Sequence, residues 1–201
     1  MTDTNHQPLV VFALRDVAFR WLPDERIDAL AALVTMAPGL VDQLVIQSGF
    51  NDAAERGAFT LDEFTEQLCA LLGLPHTAEN TEAIQAAWAR SYAPIPAIAR
   101  LARSEAYRSA VMGNGGPLCE TAVDSDKTWD ATLLSWRIGT TFDGPEAYEK
   151  AAATFATTAQ SILYFDADQE ALNHALSAGW NAHLFTTALN AQLVIRSEGL
   201  S

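Results

Sequence analysis

The feature that most constrains this chain is the run Leu9-Val10-Val11-Phe12-Ala13-Leu14, broken at once by Arg15-Asp16. So short an apolar stretch, several of its members β-branched or aromatic, cannot hold an independent helix and suits a strand buried on both faces. It is therefore expected to be the first strand of an α/β domain and to lie in the middle of a parallel sheet. Ligands in such sheets bind beyond the carboxyl ends of the strands, so Ala13, Leu14, Arg15 and Asp16 should border any site.

At 201 residues the chain can bury one substantial core and carry a small second domain. Its 49% hydrophobic and 18% charged content is that of a folded globular protein. The 12 Lys and Arg against 25 Asp and Glu give a formal charge of −13. That surface repels nucleic acid and anionic membrane, no basic cluster offsets it locally, and the acidity is read as solubility in the cytoplasm. Lys127 and Lys150 are the only lysines. Cys69 and Cys119 lie far apart without CxxC spacing, which indicates buried thiols and neither a disulfide framework nor a zinc site. The polar start carries no Lys or Arg before its apolar run, and no stretch of about 18 apolar residues follows, so the expected location is cytoplasmic.

Beyond the first strand, Trp21-Leu22-Pro23 breaks the pattern and Asp24 offers an N-cap for a helix through Ile27, Leu30, Leu33 and Val34, with Pro38-Gly39 as its stop. A second helical run covers Leu40 to Gln47. A third starts at Thr60, where Glu63 completes a capping box, and ends at Gly73. The fourth runs from about Glu79 to Tyr92, so four helices with no strand between them are expected after strand one. Ala97 to Ala106 is again helical. Strands are then expected at Tyr107–Met112, Thr132–Ile138, Ser161–Phe165 and Asn181–Phe185, with helices from Pro145, Gln169 and Thr187. This order describes an α/β, Rossmann-like parallel sheet sandwiched by helices. Residues 1–22 and 95–201 form the core, and residues 23–94 form a small four-helix cap inserted after strand one.

Val10-Val11-Phe12-Ala13-Leu14-Arg15-Asp16-Val17, the cap-like pattern Gly57 to Leu74, Val111-Met112-Gly113-Asn114, Pro145-Glu146-Ala147-Tyr148 and Ile162 to Asp168 follow one another in an informative order. Together they resemble the haloacid dehalogenase (HAD)-like hydrolase superfamily, in its helical-cap branch that includes sugar-phosphate phosphatases. The resemblance implies a nucleophilic Asp at the tip of strand one that attacks phosphorus and ligates Mg²⁺, and Ala13 stands there. Arg15 occupies the acid/base position, Gly113 that of a phosphate-binding Ser or Thr, and Phe142 that of a charge-neutralising Lys. Of the acidic pair that orients the metal, Asp166 remains, Ala167 replaces its partner, and Asp168 adds a carboxylate one step on.

Losing nucleophile, hydroxyl donor and lysine together removes the covalent step and most of the charge stabilisation. The expectation is a catalytically inactive relative that binds a small ligand or a protein partner, with no catalytic residue, no metal site and no cofactor. Arg15, Asn114, Asp166 and Asp168 are its ligand-binding candidates. The alternative is a divergent Mg²⁺-dependent phosphatase acting on a small phosphorylated metabolite through Asp16 or Asp166. Arg15 is expected either to pair with Asp166 or Asp168, where the cation stood, or to lie at the surface. Gly113-Asn114-Gly115-Gly116 offers either an anion-binding loop or a plain turn. His6, His76, His174 and His183 are dispersed, and only His174 falls near the site, for acid/base work or for packing. Trp21 and Trp88 either line a groove between cap and core or pack inside it. No Gly-x-Ser-x-Gly and no Cys-His pairing points to a replacement chemistry.

Overall fold

The structure is a computed structural model that describes residues 7–124 and 127–200. His6 falls outside them. Five strands form one parallel sheet in the order β5-β4-β1-β6-β7, built from β1 (Leu9–Ala13), β4 (Arg108–Gly113), β5 (Ala131–Leu134), β6 (Ile162–Asp166) and β7 (Asn181–Leu184). Every residue of β1 is buried, which follows from its continuous apolar sequence and its place between β4 and β6. Phe12 stacks on Phe165 of β6 at 5.6 Å and tilts against Trp129 at 5.8 Å, tying the middle of the sheet to its surroundings. Register places Ala13 beside Met112 and Phe12 beside Phe165, so the tips of β1, β4 and β6 end on one edge.

Between β1 and β4 the chain leaves the sheet. A short antiparallel ribbon, β2 (Phe19–Trp21) against β3 (Tyr92–Pro94), closes the neck of this excursion. It was not foreseen, because three residues per strand carry no readable periodicity. Five helices lie between its strands where four were expected: α1 (Pro23–Val34), α2 (Pro38–Asp42), α3 (Phe50–Glu55), α4 (Leu61–Leu71) and α5 (Ala78–Ala89). A π-helical turn, Gln43–Gln47, prolongs α2. Asp24 does not cap α1. The helix opens two residues earlier than that cap implies, with Leu22 at the cap, Pro23 in the first turn and Asp24 and Glu25 beside it, because proline's fixed φ and missing N–H suit that position. Pro38 likewise starts α2 instead of stopping α1, which ends at Thr35 in a left-handed conformation. The Thr60–Glu63 capping box at the head of α4 forms as expected.

The helices α6 (Pro96–Ala102), α7 (Pro117–Val123), α9 (Pro145–Thr154), α10 (Gln169–Ser177) and α11 (Ala188–Ser197) belong to the sheet layer system. α5 packs against both α1 and α7, so the inserted helices and the sheet's own helices share a buried boundary. The strand expected over Thr132–Ile138 stops at Leu134 and becomes a helical turn, α8 (Ser135–Ile138), ended by Gly139 at φ 67°. Both cysteines are buried free thiols, and burial pushes the Cys119 thiol up to about 12. Among the described residues no single helix is long and apolar enough to cross a membrane.

Candidate functional site

The tips of β1, β4 and β6 border a cleft of about 730 Å³. At its floor Ala13 is buried and presents only a methyl group, and Leu14 continues the strand by donating its N–H to the Met112 carbonyl at 2.7 Å. Asp16 follows in a left-handed turn at φ 61°, and its carboxylate accepts from the Trp21 N–H at 3.2 Å. Its role is thus to hold the turn into β2, away from the strand tip where a nucleophile would act.

Arg15 does not pair with Asp166 or Asp168. Its Nη2 donates to Glu55 Oε1 at 3.0 Å and to the Asn114 carbonyl at 3.2 Å, and its guanidinium lies 4.3 Å from the Trp21 ring centre. The reason is α3, whose last residue is Glu55 and which delivers a carboxylate to the β1 tip from the inserted helices. Asn51, one turn earlier, donates to the same Glu55 oxygen at 3.1 Å. Ser135 then links that helix to the sheet, its hydroxyl donating to the Glu55 carbonyl at 2.7 Å while accepting the Gly115 N–H at 3.1 Å.

At the β4 tip, a Cβ on Gly113 would lie 2.8 Å from Leu14 Cβ. The absent hydroxyl residue is therefore matched by a neighbour that has closed over its space. Asn114 is structural: its Oδ1 accepts from the Phe142 N–H at 2.8 Å and its Nδ2 reaches Asp143 at 3.5 Å. That bond sets the Phe142 ring edge-on to Tyr148 at 5.4 Å, buried where the family pattern would put an ammonium. The glycines beyond serve close packing. A Cβ on Gly115 would meet Cys119 Sγ at 2.7 Å, and one on Gly116 would meet Ala54 at 3.2 Å. Since the Gly115 N–H is taken by Ser135, the turn reading of this loop fits and the anion-loop reading loses a donor.

At the β6 tip, Asp166 is 9% exposed, and burial raises its carboxyl above the ordinary range. Two donors counter that shift: the Tyr164 hydroxyl on Oδ2, and the Asp168 N–H on Oδ1 at 3.0 Å. Asp168 is the N-cap of α10 and accepts from the Glu170 N–H at 2.8 Å. Ala167 contributes a methyl to the cleft wall. His174 also borders the cleft, 3.9 Å from Glu170. Neither Lys127 nor Lys150 lines it, and Trp21 and Trp88 do not either, so the tryptophans pack inside the neck.

The cleft edge carries Asp16, Asp143, Asp166, Asp168 and Glu170 against Arg15, which is already paired. Magnesium, the ion implied by the resemblance, does not fit these residues. Ala13 and Ala167 offer no side-chain oxygen, so of the carboxylates that the resemblance implies only Asp166 remains. Among the described residues no group of three or more His, Cys, Asp or Glu side chains is arranged to hold a metal ion.

Two residues escaped the sequence reading. Glu55 sits in a six-residue helix with no pattern to single it out. Arg26 looks like one more charge in the first turn of α1, yet it is 4% exposed and stacks 4.3 Å over Trp88.

No family model matches the chain, and no curated protein matches it either. Solved structures do. A HAD family enzyme from Bacteroides thetaiotaomicron superposes with a TM-score of 0.68 at 14% identity, over 90% of this chain and 94% of that one. A predicted HAD-like family hydrolase from Porphyromonas gingivalis gives 0.67 at 15% identity, over 94% and 97%. L-2-haloacid dehalogenase from Xanthobacter autotrophicus gives 0.57 at 20% identity, over 94% and 82%. With its five-stranded parallel sheet, its flanking helices and these likenesses together, the chain has the fold of the HAD-like hydrolase superfamily.

Proposed function

We propose that this chain is a non-catalytic HAD-like protein that binds a small, neutral or cationic molecule in the cleft beyond β1, β4 and β6. One observation carries the reading: the polar side chains left at the three strand tips are engaged in holding the site's own loops. Arg15 is held by Glu55, Asn114 by Phe142, Asp166 by Tyr164 and Asp168, and Asp168 by Glu170. Ala13 puts no carboxylate at the tip of β1, where a phosphoryl group would be attacked, and the arginine beside it is already paired with Glu55. The acidic edge of the cleft opposes an unescorted phosphate ester and favours ligands that are uncharged or positive.

The missing nucleophile alone is weak support. The Bacteroides thetaiotaomicron enzyme is known as an aspartate-to-alanine mutant in complex with magnesium and inorganic phosphate. One lost carboxylate thus leaves that protein able to hold both. The reading for this chain depends on Ala13 together with Gly113, Phe142 and Ala167. It disfavours the phosphatase alternative, since Asp16 is occupied with the turn into β2 and Asp166 lacks a second ligand.

The test is a hydrolase screen on phosphorylated metabolites with Mg²⁺ at high protein concentration. The expected outcome is turnover no greater than in a preparation of the Asp166→Asn variant. Mg²⁺-dependent turnover that disappears in that variant would replace this reading with the phosphatase one.

A further inference from the structure

Arg26 stands out among the charged residues of this protein. It is 4% exposed, in the first turn of α1, and its guanidinium lies 4.3 Å from the Trp88 ring centre and 5.3 Å from that of Trp21. Among the described residues it has no ion-pair partner and no hydrogen-bond partner, and its Nε is sealed from solvent. Burial lowers its pKa from the usual arginine value, and the neighbouring Arg15 charge works in the same direction.

Of the groups that face it, Glu55 alone carries a negative charge. Tyr92 and Cys119 are fully buried, and burial drives both upward, so both are neutral around pH 7. Glu55 is the one carboxylate acting on it, and its Oε1 is taken by Arg15 and Asn51. Two guanidinium groups thus share one carboxylate at the neck of the inserted helices, leaving an excess positive charge in a low-dielectric place. Stacking on Trp88 and Trp21 lowers the cost of that charge but satisfies none of the N–H donors. Buried charges in native proteins are paired, and an unpaired one costs several kcal/mol. Exceptions point to a water, an ion or a ligand as the missing partner.

We propose that Arg26 is the seat of a small monoanion at the neck between the inserted helices and the sheet, the anion being either a ligand carboxylate or a free inorganic ion. The Arg26 N–H groups supply the hydrogen bonds to it. This site is separate from the strand-tip cleft, which Arg26 does not line. It does not depend on the absence of catalysis there.

The experiment is thermal unfolding of the full chain, first in a buffer whose anions are too large to enter, then with chloride, nitrate, formate or acetate added at constant ionic strength. A saturable rise in Tm is expected, about 5–10 °C at a hundredfold excess over Kd. Arg26→Met should abolish the rise while Asp166→Asn keeps it. Saturation by formate or acetate at far lower concentration than chloride assigns the seat to a ligand carboxylate, and the reverse order assigns it to an inorganic ion. Should Arg26→Met fail to fold, chloride-35 linewidths of the wild-type protein, competed by formate, give the same answer. The absence of saturable anion dependence in the wild type, or an equal rise in a folded Arg26→Met protein, overturns the proposal.

Discussion

Arg15 and Arg26 stand on either side of Trp21, yet the two regions they mark are organised in opposite ways. In the strand-tip cleft, Arg15 has a side chain 37% exposed and still has an ion pair with Glu55 and a carbonyl to bond. In the neck, Arg26 is almost wholly buried and has neither. The usual rule would give the firmest pairing to the group furthest from water. The cleft turns its polar groups inward onto its own loops, which is what the non-catalytic reading proposed above requires, whereas the neck keeps donors in reserve.

The largest effect that would sharpen this contrast comes from Glu55→Ala. It leaves both guanidinium groups without a carboxylate and should cost about 2–3 kcal/mol, less than for a fully buried pair because Arg15 is partly solvated. Urea unfolding checks it, and a loss below about 0.5 kcal/mol would mean that Glu55 does not balance the neck. Next is Gly113→Ser, which restores the family hydroxyl. Because a Cβ there would collide with Leu14, it should destabilise by about 1–2 kcal/mol and bring no hydrolase activity. A stabilised variant would show that the cleft is still shaped to accept the motif.

The smallest effect concerns Asp166→Asn, expected to change stability at pH 7 by less than about 1 kcal/mol. Its interest lies in the pH profile. A carboxyl raised by burial binds its proton more tightly in the folded state than in the unfolded one. Its contribution to stability therefore falls as pH rises, from the ordinary carboxylate value through the raised one. Subtracting the Asp166→Asn profile from that of the wild type should leave a difference that declines over that window. A flat difference would mean that Tyr164 and Asp168 fully offset the burial.

Much of the sheet was legible because its strands announce themselves locally. Leu9–Ala13 and Ile162–Asp166 are continuous apolar runs ended by charges, and the helix Gln169–Ser177 is bounded by Asp168 and Gly179. The β2–β3 ribbon was hidden because its two strands are three residues each and far apart in sequence. The same limit hid the partner of Arg15. The sequence places Asp166 and Asp168 on the same sheet edge, but it cannot show that α3 swings Glu55 closer. Gly113 and Phe142 were legible as departures from a family pattern, and Asn114 as a match to it. Their present work, with Leu14 closing over Gly113 and Asn114 holding Phe142, depends on contacts between distant segments.

The central claim is that the strand-tip cleft no longer holds the metal and phosphate of its fold relatives. Calorimetric titration of Mg²⁺ into the wild-type protein, with and without inorganic phosphate at neutral pH, tests it most directly. The account predicts no saturable heat in either case. Saturable Mg²⁺ binding that is strengthened by phosphate and lost in Asp166→Asn would contradict it.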